Sequence, residues 1–205
     1  MPKTIQELTD LLAELPGLGP RQARRIVQYL LYANGGYRKK LTGAIEALTA
    51  HVSQCERCFR FDEVNTSRLC ALCADKNRDT SLLMVIEKDV DLEGIESSGV
   101  YRGTYFILGS LIPLGRQRKS AAPIRSSELL SLLGKDSKLI KEVILAFSTT
   151  PEGDYTAHEL KTKITKTLPH IKTTILGRGL SLGAEIEYAD EETLRSALQG
   201  RREEF

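Results

Sequence analysis

The four cysteines of the chain all lie within residues 55–73, where they form two C-x2-C pairs separated by eleven residues. They are Cys55, Cys58, Cys70 and Cys73. Each pair can present two thiolates to one tetrahedral ion, and in a chain without a secretion signal such clustering indicates metal binding rather than disulfides. The sequence therefore predicts one structural zinc ion per chain, with no position left open for water; the alternative is four buried free thiols. Three arginines of this predicted finger either contact a partner or are only solvated: Arg57, Arg60 and Arg68.

A proline-flanked glycine turn separates two predicted helices near the N-terminus. The turn, Pro16-Gly17-Leu18-Gly19, lets backbone N–H groups approach a phosphate at the start of the next helix, where the helix dipole favours an anion. Residues 21–40 then hold six basic side chains, no acidic one and three interleaved tyrosines: Arg21, Arg24, Arg25, Arg38, Lys39 and Lys40, with Tyr29, Tyr32 and Tyr37. This pattern predicts a helix-hairpin-helix that binds nucleic acid, with the tyrosines as stacking platforms for unpaired bases. The alternative is a plain turn, a solvated basic face and tyrosines used in packing.

Acidic residues follow the first predicted buried strand. They are Glu87, Asp89, Asp91, Glu93 and Glu96. Carboxylates at the carboxyl end of a strand lie where α/β sheets bind their ligands. A pair such as Glu87 and Asp91 can hold Mg²⁺ when another strand or a bound phosphate supplies further oxygen atoms. At the matching place after the second buried strand, residues 148–154 read Ser-Thr-Thr-Pro-Glu-Gly-Asp, with hydroxyls ahead of carboxylates. The alternative is a solvated acidic loop.

Residues 4–53 are predicted to be helical. Thr4 and Glu7 match a capping box, and the following apolar residues form one stripe. The second helix, roughly residues 21–33, is predicted to stop at Asn34-Gly35-Gly36, and residues 41–52 form a third amphipathic segment. The second helix is expected to direct one set of side chains inward: Ala23, Ile26, Val27, Leu30 and Leu31. Three short helices bury little surface, so this unit is expected to depend on its neighbours.

The pattern changes from about residue 80 onward. Continuous apolar runs at residues 82–86 and 143–147 predict strands that are buried on both faces. Residues 103–108 and 171–175 are further strand candidates, and helices are predicted near 126–133, 152–166 and 191–200. This alternation predicts an α/β sheet domain with right-handed crossovers.

The composition excludes several classes of protein. The chain has 205 residues, 41% hydrophobic and 27% charged, which is typical of a globular protein. Its net charge is +2, with +4 in residues 1–60 and −4 in residues 185–205. No apolar run reaches a membrane span and no signal-peptide core is present, so a soluble, cytoplasmic chain is expected. The G-x-S-x-G match at residues 179–183 has no histidine after it, and Gly134-Lys135 lacks the rest of a Walker loop, which argues against both kinds of hydrolase.

The order of these features resembles the RecR family of bacterial recombination mediators. The likeness covers essentially the whole chain and includes the two cysteine pairs and several specific fragments. The fragments are Leu-Pro-Gly-Leu-Gly-Pro at 15–20, Tyr-Arg-Gly-Thr-Tyr at 101–105, Glu-Gly-Asp at 152–154, Leu-Gly-Ala-Glu-Ile-Glu-Tyr-Ala-Asp at 182–190 and Gly-Arg at 200–201.

The resemblance implies an α+β fold of several parts. These are a helix-hairpin-helix DNA-binding region at 1–53, a four-cysteine zinc finger at 54–77, an α/β Toprim domain at 80–176, and a short C-terminal strand and helix segment at 177–205 used in assembly. It further implies a ring-like homo-oligomer, dimer or tetramer, that binds DNA in the nucleoid of the bacterial cytoplasm. Such a protein works with RecO and RecF in recombinational repair and helps to load recombinase on single-stranded DNA.

Individual residues carry the resemblance further. Arg21 and Arg25 match the basic positions of the family's DNA-binding hairpin helix. Glu87 and Asp91 match the acidic Toprim positions implicated in contact with partner proteins.

The catalytic Toprim pattern on the second strand is D-x-D, and Ser148 and Thr150 occupy those two places here. This loss favours a binding protein without catalysis. The chain also departs from the family at Phe106, where histidine is usual, in Ser-Thr-Thr-Pro at 148–151, where Asn-Pro-Thr is usual, and in the basic stretch 116–119. The alternative function is a Mg²⁺-dependent nuclease or topoisomerase-like enzyme using four carboxylates: Glu87, Asp91, Glu152 and Asp154.

Overall fold

The computed structural model describes residues 1–63, 66–115, 122–180 and 183–201. The chain divides into two compact units, residues 1–53 and residues 54–205. The basic stretch 116–119, Ser181 of the G-x-S-x-G match, Leu182 and Arg202 lie outside the described residues.

The first unit consists of three helices, α1 (Lys3–Ala13), α2 (Pro20–Tyr32) and α3 (Gly35–His51). The predicted capping box is wrong, because α1 begins one residue before Thr4 and its N-cap is Pro2, which has no side-chain hydroxyl to offer. The predicted break is confirmed: Gly17 has a φ of +80°, and Pro20 is the first residue of α2 with Gly19 as its N-cap. A left-handed φ of this kind is available to glycine at little cost.

The predicted end of the second helix is confirmed, since α2 ends at Tyr32, shortly before Asn34. Asn34 also starts the next helix, because its Oδ1 accepts a hydrogen bond of 2.7 Å from the N–H of Tyr37 at the beginning of α3. Asparagine is a favoured N-cap because its side chain satisfies a free N–H group of the first turn. The two glycines after it therefore belong to the helix.

The first unit leaves much apolar surface exposed. In α2, Ala23 and Val27 are buried as predicted, but Leu31 is exposed, because only α1 packs closely along this helix. No residue of α3 is buried. Large apolar side chains on all three helices remain exposed: Leu8, Leu11, Leu15, Leu31, Leu41, Ile45 and Leu48.

The second unit begins with the cysteine-bearing segment. Strand β1 (Ser53–Gln54) pairs with β2 (Phe61–Asp62), and the short helix α4 (Ala71–Ala74) follows the second cysteine pair. These short elements bury three cysteines against Leu69 and Leu72.

A parallel four-stranded sheet forms the body of the second unit, as predicted. In chain order its strands are β3 (Asp79–Ile86), β4 (Gly103–Ile107), β5 (Glu142–Ala146) and β6 (Lys172–Ile175), and their order in the sheet is β4-β3-β5-β6. Helices α5 (Asp89–Ser98), α6 (Ser126–Lys135) and α7 (Pro151–Thr167) connect them. A 3₁₀ turn (Ile186–Tyr188) and α8 (Glu191–Gln199) end the described chain.

Both faces of the sheet are buried. Along β3, Leu83 and Val85 join a core with α6 and α7, whereas Met84 and Ile86 join a second core with Leu92 of α5. This arrangement explains why the strands read as continuous apolar runs. The alternative of an acidic loop after β3 is wrong, since the segment forms α5, whose buried face is too small to give a clear periodic signal. Among the described residues, no helix is long and apolar enough to span a bilayer.

Candidate metal centre and nucleic-acid interface

The four cysteines converge on one point. One sulfur atom from each of Cys55, Cys58, Cys70 and Cys73 lies within 4.8 Å of all the others. A tetrahedral ion with metal–sulfur bonds of ~2.3 Å has sulfur atoms about 3.8 Å apart. The observed Sγ–Sγ distance between Cys58 and Cys70 is 3.6 Å, so the donor set fits one such ion.

Electrostatics within the cluster favour a bound cation. The thiol of Cys58 contacts Cys55, and this hydrogen bond lowers the pKa of Cys55 far below that of an ordinary thiol and raises the pKa of Cys58. Cys55 raises the pKa of Cys70, but hydrogen bonds from Cys58 and Cys73 outweigh this effect and lower that pKa to about 7, whereas the pKa of Cys73 is raised. The four thiols are thus close enough to control one another's protonation, and a cation that binds thiolates would take the place of their protons.

The backbone of the finger forms the two tight turns that such a site needs. Phe59 and Arg68 have left-handed φ values of 63° and 59°, directly after Cys58 and two residues before Cys70. The N–H of Glu56 donates to the carbonyl of Arg68 at 3.1 Å and joins the two cysteine-bearing turns.

The finger is attached directly to the edge strand of the sheet. The N–H of Ile107 in β4 donates to the carbonyl of the metal-site residue Cys58 at 2.8 Å. Phe59 stacks edge-to-face on Phe106, with ring centroids 5.4 Å apart. The finger thus covers an otherwise unpaired strand edge, which proteins commonly protect.

The arginines of the finger have partners within the chain, which neither sequence interpretation foresaw. Arg57 pairs with Asp136 after α6 at 2.9 Å. Arg60 lies 3.9 Å from Asp89 at the start of α5. Arg68 pairs with Glu56 on the exposed surface of the finger. Two of the three therefore connect the finger to the helices that flank the sheet.

Arg125 is a central residue that no local sequence pattern predicts. It is 6% exposed, and its guanidinium lies 5.0 Å from the centroid of the Phe59 ring and donates to the carbonyl of Ile107 at 3.3 Å. Gly109 passes so close that a Cβ atom there would lie 2.5 Å from Arg125 Nη1. Burial raises the pKa of Asp89, and the nearby charges of Arg60 and Arg125 oppose that rise.

The basic residues predicted to bind DNA lie on the solvent face of α2. Arg21 and Arg25 are exposed and one helical turn apart, opposite the buried side chains of Ala23 and Val27. Arg24 is exposed beside them. Of the six basic side chains in residues 21–40, Arg38 also has a structural contact, because it donates to the carbonyl of Leu30 at 3.1 Å and so closes the end of α2.

The predicted acidic positions lie where β3 ends. Strand order reverses between β3 and β5, and α/β sheets bind ligands at the carboxyl ends of strands beside such a reversal. Glu87 follows β3 directly and pairs with Lys88 Nζ at 3.0 Å. Asp91 lies in the first turn of α5 and accepts a hydrogen bond of 3.0 Å from the N–H of Lys88. Asp91 therefore has a capping role besides any role at the surface.

The equivalent residues after β5 are used to start α7. Thr150 is the N-cap and accepts a hydrogen bond of 3.1 Å from the N–H of Gly153, while its hydroxyl lies 3.3 Å from Ser148 Oγ. A Cβ atom on Gly153 would lie 2.0 Å from the carbonyl of Ser148, so this position requires glycine. Asp154 pairs with Arg178.

The described residues bring together no carboxylates suited to the alternative enzyme. Within the parts of the chain that the structure covers, the four cysteines are the only group of three or more metal-ligating side chains that converge. Glu87, Asp91, Glu152 and Asp154 do not form such a group. The geometry therefore offers no preformed Mg²⁺ site among them.

Comparison with known families agrees with this architecture. A family model for the Toprim domain matches residues 81–176, and a model described as RecR, C-terminal, matches residues 179–202. The sheet and its flanking helices are therefore a Toprim domain, as the sequence predicted.

Curated relatives match almost the whole chain. The protein is 38% identical over 199 residues to Recombination protein RecR of Dehalococcoides mccartyi, covering 97% of this chain and 93% of the relative. It is 41% identical over 199 residues to the protein of that name from Bifidobacterium adolescentis, with 97% and 95% covered. For the Herpetosiphon aurantiacus protein the identity is 37% over 204 residues, with 98% and 95% covered. With a Toprim domain, a converging four-cysteine cluster and full-length relatives of this kind, the chain belongs to the RecR family of recombination proteins and serves DNA recombination and repair.

Proposed function

We propose that the protein is a non-enzymatic mediator that binds DNA through its N-terminal unit and works with partners resembling RecO and RecF to load recombinase on single-stranded DNA. The observation that carries this proposal is the basic solvent face of α2, which begins directly after the glycine turn. Residues 21–40 hold six basic side chains and no acidic one, and such a cluster of positive charge is what contact with a phosphate backbone needs.

The DNA contact is of the helix-hairpin-helix kind. No side chain caps the start of α2, so the N–H groups of Arg21 and Gln22 in its first turn have no partner within the helix, and the side chains of Arg21 and Arg25 add two positive charges nearby. Phosphates are attracted both by the helix dipole and by these charges. Such contacts read no base sequence, so binding is expected to be non-specific and to place the protein on the nucleoid.

The metal is zinc, one ion per chain, bound by Cys55, Cys58, Cys70 and Cys73. Four sulfur donors in tetrahedral reach of one another suit zinc better than Mg²⁺ or Ca²⁺, which prefer oxygen. All four donors come from the protein, which is typical of a structural and not a catalytic zinc ion. The ion holds the finger that covers the edge strand β4.

The acidic end of the Toprim domain is a docking surface for a partner protein. Glu87 and Asp91 are its central residues, and the hydroxyls of Ser148 and Thr150 replace the second pair of acids that catalysis would need. A Mg²⁺-dependent strand-cutting enzyme is the alternative, and the scattered carboxylates count against it.

The protein acts as a homo-oligomer, a ring-like dimer or tetramer. Exposed leucines and an isoleucine of α1 and α3 present apolar side chains to solvent, and clustered apolar surface marks contacts between proteins. Apolar side chains of the C-terminal segment, residues 177–205, are also exposed, notably Ile186 and Tyr188. The functional parts are the hairpin region (1–53), the finger (54–77), the Toprim domain (80–176) and this segment. Several hairpins on one DNA raise the affinity by avidity.

A cutting assay with matched partner-binding measurements tests the proposal. Supercoiled, linear and single-stranded DNA should stay intact when the protein is incubated with them and Mg²⁺ or Mn²⁺. The variants Glu87→Ala and Asp91→Ala should bind DNA as well as the unaltered protein or better, because each removes a negative charge. The same variants should lose binding to an added RecO-like protein. Glu93→Ala, in the same helix as Asp91, serves as the matched control. Cleavage that disappears in Glu87→Ala would establish the enzyme instead.

A further inference from the structure

Two strongly exposed tyrosines lie beside the basic residues of α2. Tyr29 and Tyr32 expose 61% and 83% of their surface. On a helix, residues four and eleven positions apart share one face, so Tyr32 lies in line with Arg21, and Tyr29 follows Arg25 by one turn, a rise of ~6 Å. Two guanidinium groups are therefore followed by two aromatic rings along the solvent face of the helix that is proposed to hold DNA.

The Tyr29 ring is held in place from one side. Tyr37 of α3 contacts it edge-to-face, with ring centroids 6.0 Å apart and an interplanar angle of 86°. The corner between the two helices is fixed by the Asn34 cap on the N–H of Tyr37 and by Arg38 bound to the carbonyl of Leu30. A ring whose position is already fixed loses little conformational entropy when a second ring stacks on it.

We propose that Tyr29 and Tyr32 form a stacking platform for unpaired bases, so that the N-terminal unit distinguishes single-stranded from duplex DNA. This inference rests on the proposed DNA binding by α2. Every base has an aromatic face, so stacking of this kind tolerates any sequence, and duplex DNA does not offer it because its bases are already stacked.

The charge around the two rings favours nucleic acid over a second copy of the same face. No acidic residue occurs between Glu14 and Glu46, while six basic residues lie in 21–40. Two such faces packed together would bring like charges into contact, which costs binding energy. A phosphate backbone supplies the opposite charge along the whole stripe.

Oligonucleotides with and without bases provide the test. Binding of the full-length protein to a labelled single strand of thymidines and to an abasic strand of equal length is measured by fluorescence anisotropy, with the assembly mass of each variant recorded. The unaltered protein should prefer the strand with bases by roughly ten-fold, the size expected when one base stacks on an aromatic ring. Tyr29→Leu combined with Tyr32→Leu should remove this preference and leave binding to the abasic strand unchanged, while the paired Tyr→Phe variants should keep it.

Tyr155→Leu, which replaces an exposed tyrosine of α7 in the second unit, is the matched control and should keep the preference. A ten-fold preference that survives the leucine pair would overturn the platform. So would a loss of assembly mass in that pair with equal weakening on both strands, since the tyrosines would then contact another copy. Equal binding of both strands by the unaltered protein refutes only the platform, whereas no binding to either strand refutes the proposed function as well.

Discussion

Arginines have different surroundings in the two units of the molecule. In the second unit, the guanidinium groups of Arg57, Arg78 and Arg178 each contact a carboxylate of the same chain, and Arg125 is buried against Phe59. On α2 of the first unit, the arginines are exposed, and the surrounding sequence from residue 15 to residue 45 has no acidic residue. These four arginines stabilise the fold of the second unit, whereas the arginines of α2 are available to an external anion.

Apolar side chains show the same difference. The sheet is covered on both faces, and its two cores include buried residues from three strands and three helices. In the first unit, Ile45 and Leu48 are 58% and 62% exposed although they lie on the apolar side of α3. The core of the second unit is closed by elements of one chain, while the first unit leaves the apolar sides of its helices exposed. The predictions below test this contrast, beginning with the largest effect.

Removal of a metal ligand should disrupt the second unit most severely. Structural zinc contributes on the order of 10–16 kcal/mol of apparent binding energy in finger peptides, as much as the whole stability of a typical domain. Cys70→Ala should therefore give insoluble or unfolded protein, measured by soluble yield and circular dichroism. Arg68→Ala, on the exposed surface of the same finger, should change stability by no more than ~0.5 kcal/mol. A soluble Cys70→Ala variant with cooperative unfolding, or folded protein that contains no zinc by elemental analysis, would contradict the structural role.

Added methyl groups should have opposite effects in the two units. Gly153→Ala places a Cβ atom 2.0 Å from the carbonyl of Ser148 and should cost about 1–3 kcal/mol, the range for overpacked sites. Gly43→Ala, in the interior of α3, meets no atom within 4 Å and should stabilise that helix by up to ~1 kcal/mol. Urea unfolding followed by circular dichroism measures both. A Gly153→Ala variant of unchanged stability would contradict the close contact between residue 153 and the carbonyl of Ser148 at the start of α7.

A charge on the apolar side of α3 should separate protomers without unfolding them. Ile45→Glu adds a carboxylate to a surface that is exposed to solvent in the single chain, so the helix content measured by circular dichroism should persist. The mass of the assembly measured by light scattering should fall. Val100→Glu, at an 84% exposed position in the second unit, should leave the mass unchanged. If Ile45→Glu also left it unchanged, the surface of α3 would not be the contact between copies.

The ion pair of Asp154 and Arg178 should give a small, pH-dependent effect. The hydrogen bond from Arg178 lowers the pKa of Asp154, so the pair stabilises the fold above the ordinary carboxyl pKa of ~4 and is lost as the pH falls through the lowered value. Both side chains are partly solvated, which limits the effect to about 1 kcal/mol or less. Arg178→Met should lower the melting temperature slightly at pH 6 and not at all near pH 2. A difference that grew on acidification would have the wrong sign for this pair.

The features that sequence predicted correctly carry strong local signals. Two C-x2-C pairs restrict the thiols to one site. A continuous apolar run such as residues 82–86 has no polar side to expose to solvent, so its strand must lie between two layers of helices. The glycine turn before Pro20 is an equally strong local signal, because the positive φ at Gly17 favours glycine.

What sequence missed depends on contacts between distant residues. The position of Arg125 under Phe59 and the pairs of Arg57 and Arg60 join segments that are 29 to 79 residues apart, and no local pattern records them. The capping box failed because Pro2 already starts the helix, and Leu31 is exposed because α3 does not cover it. Apolar periodicity predicts which side of a helix avoids water, but it does not predict whether another element of the same chain packs against that side.

The central claim, that the basic face of α2 holds DNA, is tested most directly by the salt dependence of affinity. Each phosphate neutralised on duplex DNA adds roughly −0.9 to the slope of log affinity against log salt. Arg21→Ala and Arg25→Ala should each weaken DNA binding equally on all sequences and reduce the magnitude of this slope by about one per engaged protomer. Replacement of both arginines by glutamate in one variant should abolish DNA binding. Arg201→Ala, at the acidic C-terminal end, is the control and should leave both affinity and slope nearly unchanged. Unchanged affinity at low salt for Arg21→Glu combined with Arg25→Glu would contradict the account.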